Sequence, residues 1–185
     1  SNLKATMLAC RESNDDDFRT TFSGDINAPL LFINSLPSSR SNESLQDSEE
    51  GKMLLKALNG LGYAGTHISI DAINFTPYRE VEGSIVYRIP SKQEVQECKV
   101  FVDYLIDIVK PKAIVLLGAI ASNMYVKGSF ISTRGSIADV KGFSAIVTHD
   151  LKKLVNADNT IDEESLSDLK EEFLTDLELA ISYTQ

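Results

Sequence analysis

His149-Asp150 follows the apolar run 144–147, and Asn34-Ser35 closes another apolar run, LLFIN. Asp71 lies in a third, HISIDAIN. An imidazole can hold or stabilise charge near neutral pH. An amide or a hydroxyl can orient water or read a hydrogen-bonding edge, and Arg40, Arg134, Lys152 and Lys153 are cations able to meet phosphate. Polar groups at the ends of buried strands are where an open α/β sheet binds its ligand. Each signal is weak alone. A histidine such as His149 can simply cap a helix or bond a neighbouring carbonyl, and His67, at a strand start, reads as structural. Cys98 falls on a core-facing helix stripe, where a thiol behaves as a small apolar group.

The elements that must position these residues read as an alternation. Pro29 to Ile33 is a short buried strand, followed by a polar loop and a helix from about Ser48 with Leu54, Leu58 and Leu61 at helical spacing. Residues 67–74 read as a second strand, and 75–90 as a long loop. Ser91 and Glu94 form a capping box that opens a helix ended by Pro111. Ala113 to Leu117, uninterrupted in its apolarity, is a strand buried on both faces. A short helix spans 119–126, a fourth strand 144–147, and a last helix begins at a second capping box, Thr160 with Glu163. Alternation of this kind predicts a three-layer α/β/α sandwich around a central four-stranded parallel sheet, its functional loops after the strand ends. Residues 1–28 read as an N-terminal arm, and 29–185 as a single domain.

The 185 residues suffice for one substantial core, and 43% hydrophobic with 24% charged residues is ordinary for a globular protein. No apolar run is long enough to cross a membrane and no signal peptide opens the sequence, so no membrane is expected. Two cysteines, Cys10 and Cys98, argue against a disulfide scaffold and make a reducing, cytoplasmic setting the expectation. The net charge of −9 argues against nucleic acid until its distribution is considered. From Asp158 to Glu178 nine acids stand against Lys170 alone, so this segment carries −8 of the total. Its acidic face is either solvated or a docking surface for a protein partner. From Pro111 to Asn156 bases outnumber acids, which leaves room for a basic face.

In order and spacing these segments resemble the uracil-DNA glycosylase superfamily, most closely its iron–sulfur family four branch, from about residue 7 to residue 180. LLFIN resembles the strand before that branch's G-E-x-P-G loop. HISIDAINFTPYR resembles its second strand and following loop. IPSKQEVQECKVFVDYLIDIVKPKAIVLLGAIA carries the likeness furthest, and IVTHD falls where the branch places H-P-[SA]. The resemblance implies DNA as partner, extrusion of a damaged nucleotide and hydrolysis of its N-glycosidic bond.

Carried over residue by residue, it makes His149 the leaving-group stabiliser and lets Asn34 or Ser35 position water. Asp71, Leu36 and Pro37 then line the base pocket, and Arg40, Arg134, Lys152 and Lys153 contact the DNA backbone. The departures matter. Of G-E-x-P-G only Pro37 survives, Ser35 replaces the carboxylate, and Asp71 stands where an asparagine should read the base. Asp150 replaces the branch's proline. Met7-x-x-Cys10 keeps one cysteine of a pair, Phe75 or Thr76 takes the place of a third, and Cys98 matches the fourth. Four thiolates are the usual requirement, so neither a cluster nor any other metal or cofactor is expected. Two readings follow: a working glycosylase with a degenerate catalytic loop, or a non-catalytic relative that binds DNA or protein. A small-molecule enzyme on a flavodoxin-like sheet is a third, without a phosphate-binding glycine loop to support it.

Overall fold

In a computed structural model, residues 22–37 and 45–185 are described. Eight strands form: β1 Phe22–Gly24, β2 Leu30–Asn34, β3 His67–Asp71, β4 Tyr78–Val81, β5 Ser84–Tyr87, β6 Ala113–Leu117, β7 Ile137–Val140 and β8 Phe143–Thr148. The helices are α1 Glu49–Gly60, α2 Lys92–Val109, α3 Ala119–Tyr125, α4 Phe130–Thr133, α5 Leu151–Val155 and α6 Glu163–Ser182.

The main sheet has six strands in the order β1-β3-β2-β6-β8-β7. Its middle four, β3-β2-β6-β8, are parallel, as the alternation of the sequence requires. The sheet is wider than the four strands read from the sequence. β1 adds antiparallel to β3 at one edge and β7 antiparallel to β8 at the other. β1 is three residues long and β7 four, too short and too exposed for alternation to mark them. The stretch read as an arm thus contributes its residues 22–24 to the sheet.

β2 and β6 are buried at every position, so their side chains feed both helix layers. Leu31, Ile33, Ile114 and Leu116 pack with Cys98, Val102, Leu105 and Ala121 of α2 and α3. Leu30, Phe32, Val115 and Leu117 pack on the other face with Leu54, Leu58, Leu154, Phe173 and Leu177 of α1, α5 and α6. Each fully buried aliphatic chain stabilises the sandwich by about 1.5–3 kcal/mol. The three-layer α/β/α reading therefore stands.

Two local readings are corrected. The last helix is capped by Asp162, which accepts from the Ser165 amide, not by a Thr160–Glu163 box. Thr160 is held instead by the Asp158 carboxylate through its amide and hydroxyl. The loop read over 75–90 contains a β-hairpin, β4 with β5, turning at Glu82 (φ 51) and Gly83 (φ 79). Two positive φ values in a two-residue turn give a type I′ connection, whose usual Asn-Gly or Asp-Gly signature is absent here.

Candidate strand-end site

The chain passes from β2 through α1 to β3, then returns across β2 to β6 and continues outward to β8. The winding reverses between β2 and β6, and in an open α/β sheet the carboxyl ends of the strands at such a point are where a ligand binds. Asn34 closes β2, with Asp71 of β3 and Leu117 of β6 as its register partners. Gly118 follows β6 and bonds through its amide to the Thr148 carbonyl at the end of β8. Asn34, Ser35, Asp71 and His149 are thus carried to one end of one sheet, as the sequence reading requires. Lys152 at the start of α5 ties the outer loop down, its Nζ donating to the Pro37 carbonyl at 2.9 Å.

The commitments of each side chain decide what the crevice can do. Ser35 is 1% exposed, donates its hydroxyl to the Leu117 carbonyl at 2.7 Å and accepts the Ala121 amide at 3.1 Å. Its single proton is spent on the sheet, leaving none to orient water. Asn34 is buried and gives both amide hydrogens away, to the Leu36 carbonyl at 2.6 Å and to Asp71 Oδ1 at 3.1 Å. Asp71 therefore serves as acceptor for its register partner. Leu36 packs on the core and Pro37 is buried.

His149 is 7% exposed, and its Nε2 meets Glu172 Oε2 of α6 at 2.7 Å. A carboxylate accepts, so Nε2 carries the proton. Nδ1 is buried without a partner among the described residues, and the ring edge faces Phe130 at a centroid distance of 6.0 Å. Arg134 belongs to the same cluster. Its guanidinium bonds both Asp176 oxygens, at 3.1 and 3.0 Å, and lies 3.2 Å from Glu172. Asp176, 4% exposed, also accepts the Thr148 hydroxyl at 2.8 Å. Arg134, read from the sequence as a backbone-phosphate contact, is thus neutralised by two carboxylates. Lys153 is exposed, and Arg40 lies outside the described residues.

Sequence reasoning missed the use made of Asp150. Its Oδ1 accepts the Lys152 amide at 2.9 Å and caps α5, while Oδ2 lies against Gly118. Burial pushes its carboxyl above the usual aspartate range, opposed by the Lys152 amide and charge. Gly118 has φ 93, and a Cβ there would sit 2.8 Å from Ser35 Oγ and 3.0 Å from Asp150. Only glycine permits so close an approach. The signal in the sequence was the aspartate in place of the proline after His149.

The cysteine positions do not fit an iron–sulfur cluster. Cys98 is 5% exposed with its thiol 3.5 Å from Asn74 Oδ1, and Phe75 and Thr76 bring no sulfur. Cys10 lies outside the described residues. Among those residues no group of three or more histidine, cysteine, aspartate or glutamate side chains is arranged to hold a metal ion, and no helix is long and apolar enough to cross a membrane. The acidic helix α6 borders an apolar groove of about 360 Å³ shared with Met53, Ala57 and Leu61 of and beyond α1 and Leu154 of α5.

A family model described as the uracil DNA glycosylase superfamily matches residues 22–178, which span all four parallel strands. No curated protein matches the chain.

Proposed function

This chain belongs to the uracil DNA glycosylase superfamily, and on that premise we propose that it engages DNA at the strand-end crevice without hydrolysing the N-glycosidic bond. One observation carries this reading: the polar atoms that would position water or read the base are spent on the fold. Ser35 bonds β6 and α3, Asn34 bonds Asp71, and His149 is turned to Glu172. Excision needs preorganised groups aimed at charge that develops in the transition state. Groups already satisfied inside the ground-state protein supply little of that. Lys153 is an exposed cation just beyond His149, and the groove beside α6 gives a protein partner a second face. In this reading Cys98 serves the core rather than a cluster.

A working glycosylase is the second reading, favoured by two specific features. His149 Nδ1 is buried without a partner among the described residues, and Asp150 Oδ2 offers a carboxylate beside Gly118 that the lost first-loop acid no longer provides. A buried carboxyl whose pKa is raised, as at Asp150, is a candidate for chemistry.

A uracil-containing oligonucleotide, single- and double-stranded, incubated with the protein and then cleaved with alkali, separates the two. The expected outcome is no abasic product above the protein-free control, together with salt-sensitive retention of the oligonucleotide. Product that disappears in both His149→Ala and Asp150→Asn would establish the glycosylase instead.

A further inference from the structure

We propose that the groove between α1, α5 and α6 is a binding site for a small amphiphilic anion, an apolar body carrying one carboxylate, phosphate or sulfonate. This inference is independent of what the strand ends bind. Leu154 of α5 and Phe173 of α6 are buried beneath the groove, and the half-buried Met53 and Ala57 of α1 and the exposed Leu174 of α6 border it. Its volume of about 360 Å³ lies in the range of about 300–1,000 Å³ that small-molecule sites occupy. Met53 gives it an adaptable wall, since an unbranched thioether chain fits itself to irregular apolar shapes.

The charge of the ligand follows from the polar part of the lining. Only Lys56 of α1 and Lys170 of α6 are polar there, one from each facing helix, and no acid lines the groove. On a helix, the neighbours able to pair with a charge lie three or four residues away. For Lys56 these are Lys52, Met53, Asn59 and Gly60, and for Lys170 they are Leu166, Ser167, Phe173 and Leu174. Neither lysine has an acid at those positions, and among the described residues neither joins an ion pair across the fold. Lys170 is also the one base between Asp158 and Glu178, where nine acids stand. Like-charge repulsion from those acids opposes any broad anionic partner, such as a phospholipid surface or an acidic protein. A single small anion escapes this. Its head meets the two ammonium groups while its body covers Leu154 and Phe173.

Fluorescence titration of the full chain with anilinonaphthalene sulfonate, an aromatic anion, tests the proposal, with its uncharged parent phenylnaphthylamine as control. The wild type is expected to bind the sulfonate saturably at one site, more tightly than the parent, and to release it to dodecanoate. Lys56→Gln with Lys170→Gln removes two charge-assisted contacts, so the sulfonate should bind at least about tenfold more weakly and the parent unchanged. Both lysines are exposed, so circular dichroism and melting temperature should not move. Ala57→Trp should fill the groove and abolish binding of both probes. The proposal is overturned by a wild type without saturable sulfonate binding, by unchanged affinity in the double variant, or by a parent that binds as tightly as the sulfonate. Retention on phosphatidylglycerol vesicles without binding of the soluble sulfonate also overturns it, and assigns the lysines to a membrane surface.

Discussion

Burial of the Asp150 carboxylate against Gly118 disfavours its charged form, and the shift carries a sign. A carboxyl whose pKa is raised by folding binds more protons in the native state, so its contribution to stability falls as pH rises through and above the usual 3.8. Asparagine is an equally good N-cap. Asp150→Asn should therefore be more stable than wild type at pH 7, and thermal melts should show the difference vanishing as pH falls below the usual aspartate range. Arg134 poses the opposite case, since its loss leaves the buried Asp176 carboxylate with only the Thr148 hydroxyl. Arg134→Met should cost about 2 kcal/mol in urea unfolding, part of it from the unpaired charge. At this scale the sequence was partly legible. His149 and Asn34 could be placed at strand ends because they follow apolar runs. Their partners could not, because Glu172 and Asp71 come from segments brought close only by the folded sheet.

Glu94 shows how an element boundary can be read correctly and its neighbour missed. The Ser91–Glu94 capping box forms as its spacing requires, with Glu94 Oε2 accepting the Ser91 amide at 2.7 Å. The same carboxylate also clamps Arg88, whose Nε bonds the Tyr78 carbonyl across the base of the hairpin. The Arg88 side chain pulls the Glu94 carboxyl down to about 2, so this stabilisation is present above its usual 4.5 and lost as pH falls from there to about 2. Glu94→Gln should lower the melting temperature at pH 7 and flatten its dependence on pH over that window. The hairpin itself escaped the sequence reading because its strands are exposed on both faces, so no apolar–polar alternation marks them. Gly118 is a further test at this scale. Gly118→Ala must take φ 93 and press on Ser35 and Asp150, and a loss of about 1–3 kcal/mol is expected by chemical denaturation.

The whole molecule is a sheet whose winding reverses between β2 and β6, and of this only the parallel sheet with helices on both faces was legible. Four buried runs separated by helical segments admit few arrangements other than a parallel sheet with helices on both faces. The strand order, the two short edge strands and the state of the crevice depend on contacts between distant residues, which no local pattern encodes. Charge is divided on the same scale, with the acidic segment 158–178 wrapped into α6 and its one strongly buried acid, Asp176, turned inward to Arg134. The strand ends are held together by the bonds of Ser35 to Leu117 and Ala121 and of Asn34 to Asp71, and on the reading proposed above those groups are committed to the fold. Activity and stability commonly trade against each other at such positions, so removing a group kept for chemistry leaves stability unchanged or raises it. Urea unfolding of Ser35→Ala reads this directly, since the change orphans the Leu117 carbonyl and the Ala121 amide inside the protein. A loss of about 1–3 kcal/mol is predicted; a variant as stable as the wild type, or more so, would contradict the account.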